Sequence, residues 1–256
     1  MKVVLIGSGN VATLLSPLLK KNGHKIIQVY SRTKTSAQKL AKKTGCRFTT
    51  SVKGIIETAD LYLIALSDDA IAPFIKKLSF TPKLIVHTSG SVGTEVFGQK
   101  IVNYGVLYPL QSFSKNSKHT PAKIPFCIEG SNPSTQSQLK KIAKSLSPLV
   151  YQISSQERVF LHLAAVFINN FPNYLYALAE KILSRKKINF NILFPLMEET
   201  IKNAIENSPH DIQTGPARRG DIKIINKHLR LLSKEVDMKE IYRILSKNIQ
   251  KEYRKQ

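Results

Sequence analysis

Acidic side chains are scarce in this chain. Its 256 residues hold 17 Asp and Glu against 39 Lys and Arg, and none of the acids precedes Glu57. A net charge of +22 raises the question of a nucleic-acid or membrane-surface partner. The cations run along the whole chain, however, without a clustered arm or an interleaved aromatic platform, and Lys, Ile and Asn are used heavily together. That pattern fits compositional drift and anionic small ligands, and nucleic acid is not expected. Cysteine is scarce too: Cys46 and Cys127 show neither a metal-ligand spacing nor a disulfide framework, so no metal is expected and both read as small buried residues. No apolar run approaches the length of a membrane span. The apolar N-terminus is interrupted at once by Gly7-Ser8-Gly9-Asn10, which argues against a secretion signal. No membrane partner and cytoplasmic residence are the resulting expectations. Hydrophobic content of 42% is ordinary for a globular protein, and the length allows one large domain or two smaller ones.

What is present centres on the N-terminus. Lys2 to Ile6 reads as a buried strand, and Gly7-Ser8-Gly9-Asn10-Val11-Ala12 then opens a helical stretch. This is a G-x-G-x-x-A dinucleotide fingerprint in strand-turn-helix context. Gly7 allows the tight turn, Gly9 lets a pyrophosphate approach the backbone, and Ala12 lets helix and strand pack closely. Amides at the helix N-terminus then face the phosphate charge. An NAD-binding version places an acid about 20 residues on, for the ribose 2′-hydroxyl. Here the second strand, Lys25 to Tyr30, runs instead into Ser31-Arg32-Thr33-Lys34, hydroxyls and cations suited to a 2′-phosphate. The cofactor expected is NADP. A Gly-rich turn before an ordinary helix is the plain alternative; the order strand, fingerprint, helix, strand and basic turn argues against it.

Strand patterns at 2–7, 25–31, 46–49, 60–66, 83–88 and 102–107 alternate with helical patterns near 10–22, 34–44, 51–58, 69–79 and 92–100. Apolar runs at Pro125 to Glu129 and Leu149 to Ile153 flank a helix near 133–147. After that the strand signal stops: Ser155 to Ser184 is one long helical pattern, and others follow near 190–207, 217–233 and 237–254. The expected fold is α/β, a doubly wound, mostly parallel Rossmann sheet followed by an all-α C-terminal domain. The expected division is 1–154 for cofactor binding and 155–256 for substrate binding and dimerisation, with a ligand cleft between them.

Ligands of open α/β sheets lie beyond the carboxyl ends of the strands. Ser67 and Asp68 end one strand and either cap the next helix or touch the cofactor. Ser89 and Ser91, around Gly90, offer hydroxyls and amides where a nicotinamide or a substrate oxygen would sit, with capping again the competitor. Tyr108-Pro109-Leu110-Gln111-Ser112-Phe113 either floors the pocket or forms a rigid exit turn, and reads chiefly as the turn. The long helical pattern is apolar almost all round, as in an enclosed helix, except for His162, Asn169, Asn170 and Asn173. At 100° per residue His162, Asn169 and Asn173 share an arc, with Asn170 beside it. Buried amides need partners, so these side chains either pair within a core or line a wet cleft. Pro172 cannot donate to the carbonyl of Ile168 and is expected to kink the helix there. Finally, Thr214-Gly215-Pro216-Ala217-Arg218-Arg219-Gly220-Asp221 places two Arg near a helix start, as an anion site or a capped turn.

These motifs resemble the group of pyrroline-5-carboxylate reductase, ketopantoate reductase and 3-hydroxyisobutyrate dehydrogenase. They resemble more closely a bacterial branch of Rossmann-like NADP oxidoreductases whose C-terminal domain has no assigned function. The most specific parts are His-Thr-Ser-Gly-Ser at 87–91, His162 with Asn169-Asn170, and the 214–221 segment. The resemblance implies an NADP-dependent oxidoreductase and a homodimer formed through the helical half. It also implies a catalytic Lys four residues before the Asn matched by Asn170, yet Val166 stands there. His162, one turn earlier, is the expected substitute acid. The resulting expectation is hydride transfer between NADPH and a small 2-oxo acid of ketopantoate type. His162 would give the proton, and Asn170 and Asn173 would orient the reacting group. Ser91, Asn169, Arg218 and Arg219 would bind a carboxylate-bearing substrate, with Ser67 and Ser89 on the cofactor. A cyclic imino acid is the second substrate class; a non-catalytic NADP sensor is the alternative of another kind.

Overall fold

The computed structural model describes residues 1–112 and 123–253. Phe113 and residue 254, the ends of two sequence-predicted segments, lie outside them. The strands are β1 (Lys2–Ile6), β2 (Lys25–Tyr30), β3 (Arg47–Thr49), β4 (Leu61–Ile64), β5 (Ile85–His87), β6 (Tyr104–Pro109), β7 (Phe126–Gly130) and β8 (Val150–Gln152). They form one sheet in the order β3-β2-β1-β4-β5-β6-β7-β8, parallel except where β7 runs against β6. The interposed helices are α1 (Asn10–Lys21), α2 (Lys34–Thr44), α3 (Asp68–Ile75) and α4 (Pro133–Leu146). This is the doubly wound architecture read from the sequence.

The pleat explains the unbroken apolar run of β1, because both faces are covered. Val3 and Leu5 pack with Leu15 and Leu19 of α1 and Leu139 and Ile142 of α4. Val4 and Ile6 pack on the opposite face with Ile71 and Phe74 of α3. Strand order reverses between β1 and β4, so the turn after β1 opens at the crevice where such sheets take ligands.

Two sequence-predicted helices are single 3₁₀ turns. In place of a helix over 51–58 there is Val52–Gly54. Gln28, buried in β2, donates to the Gly54 carbonyl at 2.8 Å and accepts from the Ile56 amide at 2.8 Å, taking backbone groups that a helix needs. In place of a helix over 92–100 there is Thr94–Phe97. There the amides of Ser91 and Val92 donate to Ser89 Oγ, and the Val92 carbonyl accepts from Arg158.

Beyond β8 no strand follows among the described residues, and the α-helices are α5 (Ser155–Ala165), α6 (Phe171–Ser184), α7 (Phe194–Glu206), α8 (Pro216–Arg219), α9 (Ile222–Leu231) and α10 (Val236–Tyr253). A capping box starts α5, with Ser154 Oγ accepting from the Glu157 amide while Glu157 accepts from the Ser154 amide. The long helical pattern is not one α-helix. Val166–Asn170 forms a π turn, just ahead of Pro172, whose missing N–H leaves the Ile168 carbonyl without its regular partner.

Contacts divide the chain into two compact units, Met1–Asn170 and Phe171–Gln256. In the second, Lys181 of α6 and Arg185 just after it pair with Glu235, and His228 of α9 bonds to Tyr242 of α10 at 2.8 Å. Cys127 is buried and Cys46 half-buried, and burial pushes both thiols up in pKa. Among the described residues no helix is long and apolar enough to cross a membrane, and no cluster of His, Cys, Asp and Glu could hold a metal.

Candidate functional site

The turn after β1 is built for a close approach. Gly7 has φ +114°, and a Cβ there would lie 2.2 Å from the Ala65 carbonyl oxygen. Gly9 holds the N-cap position of α1 without a side-chain cap and no acid occupies the first turn, which suits a helix start that faces an anion. Ala12 is sealed against the sheet, Val11 is half-buried, and Gly9 and Asn10 are exposed at the opening. Ser8 Oγ donates to Ser31 Oγ at 2.9 Å, joining the first turn to the end of β2. There Arg32, Thr33 and Lys34 are exposed around buried Ser31.

A cavity of about 260 Å³ opens at this corner, lined by Tyr30, Arg32, Ser67, Asp69, Phe74 and Lys77 among others. Ser67 holds the N-cap position of α3, yet its hydroxyl caps nothing. An uncapped helix start, a crossing point only glycine fits, and an exposed pair of cations beside two hydroxyls suit a phosphorylated dinucleotide. The donor set of this corner fits NADP.

The ends of β4 and β5 are tied together, with Ser91 Oγ donating to Asp68 Oδ2. Ser89 is buried, and its hydroxyl accepts from the amides of Ser91 and Val92 at 3.1 and 3.0 Å. It therefore shapes the loop. His87, fully buried, stacks on Phe97 and accepts from the Ser89 amide. Burial and the Arg158 guanidinium lower its pKa to about 4. It stays neutral at physiological pH and acts as part of the frame.

A second cavity of about 410 Å³ is lined by Tyr108, Gln111, Ser112, His162, Val166, Asn169 and Asn170 with neighbouring apolar groups. That volume suits a small molecule. It brings together three of the four polar residues singled out on the long helical pattern. Asn173 is exposed on α6, in the other unit. The π turn explains the altered grouping, since its extra residue breaks the 100° phase on which the common arc depended. Val166, where the resemblance implied a Lys, lines the same cavity as His162.

Tyr108, read from the sequence chiefly as part of an exit turn, and Arg158, which sequence reasoning passed over, brace this cavity. Tyr108 Oη lies 3.1 Å from His162 Nδ1. Arg158 is 1% exposed, and its guanidinium donates to Glu129 Oε2 of β7 at 2.6 Å and to the Val92 carbonyl at 2.6 Å. It thereby locks α5, one turn before His162, to the sheet and to the Ser89–Val92 loop. In the sequence Arg158 follows Ser155-Gln156-Glu157 directly and reads as part of a polar first turn, so no local signal marked it. In the helical unit, the Arg218 guanidinium lies 4.7 Å over the Tyr253 ring, which itself stacks on His210. Arg219 is exposed beside it.

Residues 2–90 match the family described as NADP oxidoreductase, coenzyme F420-dependent, and residues 124–249 match a domain of unknown function, DUF2520. The chain is similar to BF3122 from Bacteroides fragilis, a crystal structure assigned as an NADP oxidoreductase, at 41% identity, with 98% of each chain covered and a TM-score of 0.92. It is similar in fold to 1-pyrroline-5-carboxylate reductase from Streptococcus pyogenes, at 15% identity, 98% of each chain and a TM-score of 0.64. A reductive aminase from Aspergillus terreus, solved with NADPH and ethyl-5-oxohexanoate, shares the fold at 13% identity, 96% of this chain, 92% of that chain and a TM-score of 0.71. No curated protein matches the chain.

Proposed function

Because the chain belongs to the NADP oxidoreductases that join a dinucleotide-binding domain to a DUF2520 domain, we propose that it reduces a small 2-oxo acid, with His162 as proton donor. One observation carries this reading: His162, Asn169 and Asn170 converge on a cavity of small-molecule size in the unit that holds the dinucleotide crevice. When bound, NADPH supplies the hydride. The first-turn amides after Gly9 would meet its diphosphate, and Ser31, Arg32, Thr33 and Lys34 would hold its 2′-phosphate. Ser67 and Ser89 would border its ribose and nicotinamide end. In the substrate cavity, His162 gives a proton to the oxygen of the carbonyl under reduction, while Asn170 orients that oxygen and Ser91 and Asn169 bind the remainder. In the helical unit, Asn173 offers a further amide. Arg219 is the better carboxylate partner there, because Arg218 is already stacked on Tyr253.

A cyclic imino acid is the second reading, supported by the fold shared with 1-pyrroline-5-carboxylate reductase. The chain is further proposed to work as a homodimer in the cytoplasm, with residues 155–256 serving substrate binding and dimerisation. The support for pairing is a helical half that leaves large apolar side chains in water, Ile168, Ile192 and Leu231 among them.

The test is oxidation of NADPH by the purified protein with a panel of 2-oxo acids and cyclic imines, beside titration with both nicotinamide cofactors. Turnover with a 2-oxo acid is expected, and turnover with imines alone would replace the first reading by the second. Tight NADPH binding without any turnover would leave only a cofactor-binding module. His162→Ala should lower kcat by about 10²–10⁴-fold, the usual scale of general acid catalysis, and leave NADPH affinity unchanged. Arg32→Ala with Lys34→Ala should weaken NADPH and spare NADH; equal losses would remove the 2′-phosphate assignment.

A further inference from the structure

Tyr108 entered the sequence reading as part of an exit turn, yet the structure puts its hydroxyl on the imidazole of a residue 54 positions away. The two rings meet edge to face, with centroids 6.1 Å apart at 74°. Their meeting place is the space a side chain at position 90 would fill. A Cβ on Gly90 would lie 2.7 Å from His162 Nδ1 and 2.8 Å from Tyr108 Cζ. Three segments, the loop after β5, the end of β6 and the middle of α5, thus converge on one contact. Tyr108 is 9% exposed and packs with Val106, Cys127 and Leu161, so its ring has little freedom to leave.

We propose that Tyr108 is a positioning residue for His162: its hydroxyl occupies Nδ1, fixes the plane of the imidazole and reserves Nε2 for the substrate. The proposal rests on the reading of His162 as the acid. A phenol suits the task because it can both donate and accept. Toward a neutral ring protonated on Nε2 it donates to Nδ1; toward an imidazolium, or a neutral ring protonated on Nδ1, it accepts from Nδ1–H. In the reducing direction the imidazolium loses its Nε2 proton to the substrate oxygen and becomes neutral, with Nδ1–H still held by the phenolic oxygen. Solvent then restores the Nε2 proton. Burial raises the phenol pKa, which keeps the hydroxyl protonated and able to serve both states. Gly90 is the second half of the device. Any larger residue would push imidazole and phenol apart, and a shift of about 1 Å at a catalytic group can cost on the order of a hundredfold in rate.

The test uses the full chain with ¹⁵N-labelled histidine, the His162 resonances being identified by their loss in His162→Ala. Tyr108→Phe keeps the buried ring and removes only the hydroxyl. It should move the His162 Nδ1 resonance, lower kcat about tenfold, as loss of one hydrogen bond of about 1.4 kcal/mol would, and leave the KM for NADPH unchanged. Gly90→Ala should lower kcat further and also move the Nδ1 resonance. An Nδ1 resonance unmoved in Tyr108→Phe, in a protein that keeps wild-type circular dichroism, overturns the proposal whatever the kinetics. Full turnover in His162→Ala would instead overturn the acid role beneath it, and the two failures are read in different experiments.

Discussion

The Met1–Asn170 unit seals apolar side chains on both faces of a sheet. The Phe171–Gln256 unit, among its described residues, buries only Ala217, Ile225, Leu232 and Met238 from its apolar complement. Ile205, Leu231 and Val236 there are 79%, 73% and 77% exposed. A sheet with helices on each side completes its own core, whereas short amphipathic helices turned outward leave a surface that costs free energy in water. The contrast assigns different duties to sequence in the two halves. Buried polar groups in the first half brace the candidate site, and exposed apolar groups in the second form the surface proposed to meet a second copy.

The sharpest way to test the sealed half is at Arg158. Arg158→Ala leaves Glu129 and the Val92 carbonyl without their partner and should cost about 3–5 kcal/mol, the range for breaking a buried ion pair. Urea unfolding measures this, and a loss below about 1 kcal/mol would show that the network does not hold α5.

Next in size is an acid effect from His87. Its pKa in the folded protein is about 4 against 6.5 for a free histidine, so between those values the unfolded chain binds the extra proton. Stability is therefore full above pH 6.5 and falls as pH drops toward about 4, by about 3 kcal/mol for this group. His24, also pushed down by burial, adds in the same direction. His87→Asn should flatten the decline in thermal melts, and an unaltered slope would mean that His87 is not its source.

The smallest change in intrinsic stability is expected in the open half. Ile205→Lys with Leu231→Lys should alter monomer unfolding by no more than about 0.5 kcal/mol per site, as exposed substitutions do. Light scattering should nevertheless show a dimer converted to monomer. A wild-type protein that is already monomeric would erase the contrast between the halves.

The cofactor half was legible because its signals are local. An apolar run before Gly7 gives a strand, Gly9 leaves a helix start uncapped, and Arg32 and Lys34 follow the second strand directly. The false helices at 51–58 and 92–100 failed where distant side chains, Gln28 and Arg158, claimed backbone that propensity had assigned to a helix. The candidate acid was legible as a lone His in an apolar helical stretch. Its partner was not, since only the crossing of β6, α5 and the loop after β5 brings Tyr108 to His162. The serine-flanked Gly90 was visible from the start, but nothing in a linear pattern says what occupies the space above a glycine. The apolar girth of the long helical pattern suggested enclosure by protein, whereas Phe160 and Ile168 are 74% and 80% exposed in the single chain.

The wide turn at Val166–Asn170 has a consequence for anyone trimming this protein. It amounts to one surplus residue wound into an otherwise regular helix. Deleting a single position there would restore ordinary winding and swivel the following stretch by about 100° about its own axis. Such a shortened variant should fold and retain its coenzyme while losing the register that puts two neighbouring carboxamides beside the imidazole.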